Sequence, residues 1–405
     1  MKRLIQNIKA NNLINYFLMA YAFVLPLSRA GIVLFSLLLI LLWFIEGDLK
    51  EKFSKLKNNK FAIAFFIFIL FNIISLLWVE SQNIKEAIRY IVKYWYMLVI
   101  FVIFTSMKKE YVNKILIAFI VGMSVSIVIS LGAYFEFWEF KRATASNISP
   151  FMHHIEYSIF LAITSLVLVC KAIHQDKKSL KILFAMLFIV SVITLFLTLG
   201  RAGQLSFVVT IFVLLLMQIK KRVKETAIIL IIFISSIILA YNYNSLFHNR
   251  IEAGKKDIDK LINKQDYSTS WGNRVGAMIV AKEIFLENPL LGVGIIDNMD
   301  ELKKIVNEKG NEKLKCIDSP HFMHFHNQYL DILTKKGLVG LLIFLSLFYF
   351  LLKSHSNIDE YKNLRIILSV VFLVGFIAEP LLHQQFTMAL FAFFSGLVVS
   401  YQTFY

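Results

Sequence analysis

Apolar runs of about 15–20 residues recur along the chain, at roughly 15–28, 30–46, 61–78, 88–105, 115–134, 156–173, 182–199, 204–219, 226–241, 337–353, 364–380 and 386–403. A helix of that length matches the thickness of bilayer hydrocarbon. It also satisfies its own backbone N–H and C=O groups where no water can. The pattern predicts an all-α polytopic membrane protein of about twelve transmembrane helices. Nine lie in residues 1–241 and three in 337–405, which places both termini on one side.

Residues 242–336 interrupt this pattern with a long polar segment that carries 14 Lys/Arg and 13 Asp/Glu. Two stretches in it have helical character, Arg250–Lys264 and Gly272–Glu287. A turn-rich stretch follows, Asn288-Pro289-Leu290-Leu291-Gly292-Val293-Gly294. Structureless loops of such length are uncommon, and most have a function. A small helical cap is therefore expected here.

Composition strengthens the membrane reading. Apolar residues make up 58% of the 405, Phe alone contributes 38, and mean hydropathy is +0.67. Charged residues are 17%, against about a quarter in soluble chains. The net charge of +16 invites a nucleic-acid partner, but its distribution argues against one. With the N-terminus inside, the cytoplasmic segments hold twenty-two Lys/Arg, while the short external connections hold seven, namely Arg29, Lys85, Arg89, Lys93, Lys141, Arg142 and Arg201. That asymmetry is an orientation signal. The basic start, Met1 to Phe17, resembles a signal peptide, but more spans follow at once and no small-x-small cleavage site is present, so an uncleaved first helix is expected. Cys170 lies in an apolar run and Cys316 in the polar segment, which favours neither a disulfide nor a zinc site.

Three external positions could carry chemistry. Arg201, in Gly200-Arg201-Ala202-Gly203, sits between two spans. It could simply snorkel to the interface. It also opposes the orientation bias, and a guanidinium between glycines suits a phosphate, gripped in bidentate fashion. Arg274, in Trp271-Gly272-Asn273-Arg274, opens a loop helix and could equally be a solvated surface charge. His326 closes a cluster with His321 and His324, near Asp318. With no H-E-x-x-H pattern and no Cys partner, metal binding is the weaker reading of that cluster, and general-base work near neutral pH the stronger. His153, His154 and Glu156, and also Glu379 and His383, form polar clusters at span ends. Packing or interfacial roles suit these five as well as function does. Phosphate-binding loops of the G-x-x-x-x-G-K-[ST] type and G-x-S-x-G elbows are absent from the sequence.

The stretch His326-Asn327-Gln328-Tyr329-Leu330-Asp331-Ile332-Leu333-Thr334-Lys335-Lys336-Gly337 fits H-[NS]-x-x-L-x-x-x-x-x-x-G, a pattern of the bacterial O-antigen ligase family. Arg201-Ala202-Gly203-Gln204-Leu205 resembles that family's R-x-x-x-L element, and Arg274 with residues 288–294 resembles the start of its large periplasmic loop. The topology of the whole chain agrees, with the motif resemblance confined to about 195–345. The resemblance implies a GT-C-like membrane fold in the bacterial inner membrane, with cytoplasmic termini and a periplasmic active site. The implied reaction transfers a glycan from undecaprenyl diphosphate to a lipid A core sugar, with inversion and without nucleotide, metal or other cofactor. Arg201 and Arg274 would then contact the diphosphate, His326 would be the catalytic histidine, and His154 and Asn327 would contact substrate.

The chemistry is coherent in its own terms. Displacing a glycosyl diphosphate requires stabilisation of the charge on the leaving group, which two arginines can provide, and an acceptor hydroxyl needs a base. An O-antigen polymerase, or a protein O-oligosaccharyltransferase, would share these residues. A polysaccharide flippase would instead place charges along mid-span pathways, and the spans here are nearly free of them.

Overall fold

The computed structural model describes residues 2–218, 242, 245–308, 312–317, 324–354 and 359–400. These residues form helices joined by turns, with one isolated bridge, Phe140 to Ala143, and no strand among them. In chain order the α-helices are α1 (Lys2–Val24), α2 (Arg29–Glu46), α3 (Leu49–Lys57), α4 (Lys60–Ile74), α5 (Ile84–Val92), α6 (Val99–Ser106), α7 (Lys109–Tyr134) and α8 (His154–His174). They continue as α9 (Lys178–Leu197), α10 (Arg201–Gln218), α11 (Ser245–Lys264), α12 (Ser270–Glu287), α13 (Asp297–Glu308), α14 (Gln328–Lys353), α15 (Asp359–Gly375) and α16 (Gln385–Ser400).

Seven helical stretches among the described residues are long and apolar enough to cross a membrane: Arg29–Glu46, Lys60–Trp78, Ile84–Ser106, Lys109–Tyr134, His154–His174, Lys178–Leu197 and Gln328–Lys353. Asn12–Val24, Arg201–Met217 and Gln385–Ser400 are apolar but shorter. The chain is a multi-pass membrane protein. The span expected at 226–241 lies outside the described residues. The run at 364–380 is helical only to Gly375, within α15, and a turn at 376–378 leads to Glu379-Pro380 outside the helix, as expected where the residue before a proline is pushed out of the helical region. The run at 88–105 is not one α-helix, because Lys93–Leu98 winds as a 3-10 segment between α5 and α6. That tighter winding rises about 2.0 Å per residue instead of about 1.5 Å.

The chain divides into two compact units. The first comprises Met1–Ile74, Ile88–Thr210 and Leu342–Tyr405, and the second Ser75–Ala87 and Ile211–Leu341.

In the first unit, α8 is the central helix: 83% of its most apolar window is buried, against 22% for its neighbour α9. α9 is therefore exposed along most of its length. α16 is buried from Phe386 to Ser400. Phe119 on α7 meets Phe160, Phe393 and Phe394, and Phe391 meets Phe348 and Phe372. Lipid tails are as apolar as these side chains, so close packing and interhelical hydrogen bonds must supply specificity. Gly122 supplies the first, since a methyl group there would lie 2.2 Å from the Phe23 carbonyl oxygen. Tyr157 with Ser130 (2.7 Å) and Ser165 with Ser191 (2.9 Å) supply the second.

The second unit has an apolar core of its own. Ala277, Val280, Ala281 and Ile284 of α12 pack with Leu302, Ile305 and Val306 of α13, Leu314 and Ile317 of a 3-10 turn, and Phe325. The helices expected from Arg250 and Gly272 form as α11 and α12, and α13 adds a third. A buried carboxylate ties this core to residues 80–83: Asp297 accepts from the Glu80 N–H (3.0 Å) and from Asn83 Nδ2 (2.7 Å). Burial raises the Asp297 carboxyl above the usual range, and those two donors pull it back.

Candidate functional site

Arg201 is the first residue of α10 and is exposed. The turn that presents it is held from both sides. Gln204 Nε2 donates to the carbonyls of Leu195 and Thr198 (3.1 Å each), tying the start of α10 to the end of α9. The two glycines serve helix packing. A methyl at Gly200 would lie 2.4 Å from the His154 carbonyl oxygen, and one at Gly203 would lie 2.2 Å from the Ser158 backbone. With that space open, the Gly203 N–H donates to Ser158 Oγ at 3.1 Å. The starts of α8 and α10 are thereby pressed together, which brings His154, first residue of α8, into the neighbourhood of the Arg201 turn.

His153 caps α8 in a reciprocal arrangement: the Glu156 side chain accepts from the His153 N–H (3.2 Å). The His153 and His154 rings lie 3.9 Å apart. Glu156 is buried and sits 3.8 Å from Arg29, whose own carbonyl accepts from Gln385 Nε2 (3.0 Å). Arg29, read from sequence only as an orientation charge, is thus part of the polar group at this end of the first unit. Glu379 belongs to that end as well, accepting from Gln384 Nε2 at 3.2 Å.

In the second unit the pattern that begins at His326 resolves into a structural device. Asn327 caps α14, its Oδ1 accepting from the N–H groups of Tyr329 (2.9 Å) and Leu330 (3.1 Å). Asn and Ser are both strong N-caps, a physical reason for either at that place in the pattern. Leu330 packs on the apolar core. Gly337 breaks α14 with φ +59° and ψ −162°, a region essentially closed to other residues. The break exposes backbone groups that residues 289–294 then pair. Leu338 and Val339 donate to the carbonyls of Pro289 (2.8 Å) and Leu290 (3.2 Å), and Val293 and Gly294 donate to those of Thr334 (2.9 Å) and Lys335 (3.2 Å). The turn-rich stretch is therefore a strap laid across a helix break, joined to it by four backbone hydrogen bonds. A methyl at Gly337 would lie 2.3 Å from the Leu290 carbonyl. Gly337→Ala should destabilise the second unit by about 1–3 kcal/mol from backbone strain alone. Limited proteolysis of the membrane-embedded protein should show faster cleavage within 245–308, and an unchanged cleavage rate would refute the strap.

His326 itself is half-buried and has φ +49°, with its N–H donating to His324 Nδ1 at 3.2 Å. The two rings meet edge to face at 4.5 Å. A side chain held left-handed beside a helix cap is strained by about 1–3 kcal/mol, and such strain gathers at functional sites. His321 and Asp318 lie outside the described residues.

Arg274 stands in the opening turns of α12, half-buried, after the cap made by Thr269 to the Gly272 N–H (3.0 Å). Arg201 and His154 belong to the first unit, and Arg274, His326 and Asn327 to the second. His154 and Arg201 are the first residues of α8 and α10, and His326 and Asn327 immediately precede α14, whereas Arg274 lies in the second turn of α12. Helix N-termini carry open N–H groups and the positive end of the helix dipole, and so favour anions. An arginine there is unfavourable for the helix and adds to the attraction for a phosphate.

Residues 184–345 match a family model described as O-antigen ligase. That segment contains Arg201, Arg274, His326 and Asn327, but not His154. A protein of Haemophilus influenzae (strain ATCC 51907 / DSM 11121 / KW20 / Rd), described as uncharacterized, is 25% identical over 349 residues, which cover 83% of this chain and 83% of that relative.

Proposed function

We propose that this chain, whose residues 184–345 match the O-antigen ligase family model, transfers a glycan from undecaprenyl diphosphate to a sugar of the lipid A core at the periplasmic face of the bacterial inner membrane. The observation that carries this reading is the placement of Arg201 at the first position of α10 and of His326 just before α14, where an anionic leaving group is favoured; Arg274 follows in the second turn of α12. His326 takes the proton from the acceptor hydroxyl. The freed oxygen attacks the anomeric carbon from the face opposite the diphosphate. The bond from that carbon to the diphosphate oxygen breaks, and undecaprenyl diphosphate departs with its negative charge held by the guanidinium forks of Arg201 and Arg274. Backside displacement inverts the anomeric centre. His154 and Asn327 border this chemistry, Asn327 chiefly by fixing the start of the helix behind His326. No step draws on a metal or a nucleotide.

The reading carries with it a GT-C-like arrangement of twelve spans with cytoplasmic termini. Reporter fusions after Lys57, Lys178 and Lys221 should report cytoplasm, and one near Lys260 should report periplasm. A cytoplasmic signal at Lys260 would overturn the orientation.

The acceptor is tested by deletion of the gene. Loss of a ligase leaves long glycans on undecaprenyl diphosphate and bare lipid A core. Single repeat units attached to the core would identify a polymerase instead, whose acceptor is a second lipid-linked glycan.

A further inference from the structure

Between α2, α3, α4 and α6, all in the first unit, lies a cavity of about 560 Å³. Its lining includes Trp43, Phe53, Leu56, Phe66 and Phe101, with Lys57 as the charged member. Phe53 and Phe66 are 56% and 59% exposed, so the cavity opens on the lipid-facing side of the unit. Helix α3 is held in place over it by a buried polar knot. Lys52 pairs with Glu46 at 2.6 Å and donates to the Trp43 carbonyl at 2.6 Å. Glu46 also accepts from Ser106 Oγ, and the Trp43 indole donates to Thr105 Oγ1 at 2.6 Å. Breaking such a knot would strand a buried charge, so the cavity is formed before anything enters it.

The cavity lining carries one charged residue, Lys57, which lies in a basic connection. The connection 47–60 carries five lysines against Asp48 and Glu51. Lys52 is spent inside on Glu46, and Lys55 is paired with Glu51 at 2.8 Å. Lys50, Lys57 and Lys60 are exposed, and no carboxylate among the described residues pairs with Lys57 at the cavity. A cavity with apolar walls and one cationic residue in its lining, at a membrane surface, matches a molecule with a hydrocarbon chain and an anionic head.

We propose that this cavity binds one acyl chain of an anionic phospholipid, its phosphate held by Lys57 and the neighbouring lysines. The hydrocarbon chain would supply the burial, and the lysines would select the headgroup. This site lies beyond the proposed transfer reaction and stands independently of it.

The full-length protein in nanodiscs of equal phosphatidylglycerol and phosphatidylethanolamine should, on release for native mass spectrometry, retain phosphatidylglycerol in preference. Lys57→Gln should reduce that preference by about fivefold, the effect of one lysine near an anionic surface. Ile63→Trp, which fills the cavity, should remove the retained lipid whatever its head. Because Ile63→Trp can disturb packing, a second measurement uses the unaltered protein: phosphatidylglycerol brominated on its chains should quench its tryptophan fluorescence more than brominated phosphatidylethanolamine does, and Lys57→Gln should remove that difference. Equal retention and equal quenching by the two lipids would overturn the proposal. So would retention of undecaprenyl phosphate in place of phospholipid, which would assign the cavity to a polyprenyl tail.

Discussion

Replacing His326 with alanine is expected to reduce glycan transfer by about 10²–10⁴-fold, the usual worth of a positioned base, while the protein still accumulates in the membrane. The expectation rests on where the backbone puts this residue. His326 immediately precedes the Asn327 cap of α14, is half-buried, and is held at φ +49°. Alanine at that φ keeps the strain and loses the imidazole. His326→Gly is the informative companion, since glycine relieves the strain and still lacks a base. Both variants should be inactive, with the glycine variant at least as stable in a thermal melt. Near-normal turnover by purified His326→Ala protein would remove His326 from the chemistry. Loss of wild-type turnover on chelation would instead point to a metal ion at the histidines.

Arg201→Lys and Arg274→Lys should each lower turnover by on the order of 10²-fold, comparable to losing one donor to a developing oxyanion. Lysine keeps the charge but presents a point donor in place of a planar fork. Stability should barely change for Arg201→Lys, because Arg201 is exposed and its turn is held by Gln204, Gly200 and Gly203. If both lysine variants match wild type, the arginines act only through net charge and the bidentate grip is wrong. If Arg201→Lys fails to accumulate, the loss is structural, and Arg201→Gln, which keeps hydrogen-bond donors without charge, should then accumulate no better.

The glycines show where sequence reading and structure part. Gly200 and Gly203 flank Arg201, and from sequence they read as room for either a backbone or a ligand. In the structure they make room for the start of α8 at His154 and Ser158. The signal was real, but a missing Cβ does not say what approaches it. Gly337, the last position of the histidine pattern, similarly reads as a spacing mark, and only the fold shows that it breaks α14 to receive the 289–294 strap. Arg29 passed as an orientation charge because its neighbour Glu156 is more than a hundred residues away in sequence. Asp297, which ties residues 80 and 83 to the second unit, carried no local signal for the same reason.

The sequence by itself determined that this is an all-helical, multi-pass membrane protein with a polar helical insertion, because hydrocarbon accepts only self-satisfied backbone and each apolar run is long enough to show it locally. It also singled out His326 and Asn327 through a pattern within twelve residues, and Arg201 and Arg274 through their immediate neighbours in the chain. What only the tertiary structure decided is how those residues are held. The contacts of Gly203 with Ser158, of residues 289–294 with α14, and of Asn83 with Asp297 join segments far apart in sequence. Such contacts arise from packing and backbone satisfaction after the helices have met, and no window along the chain contains both partners.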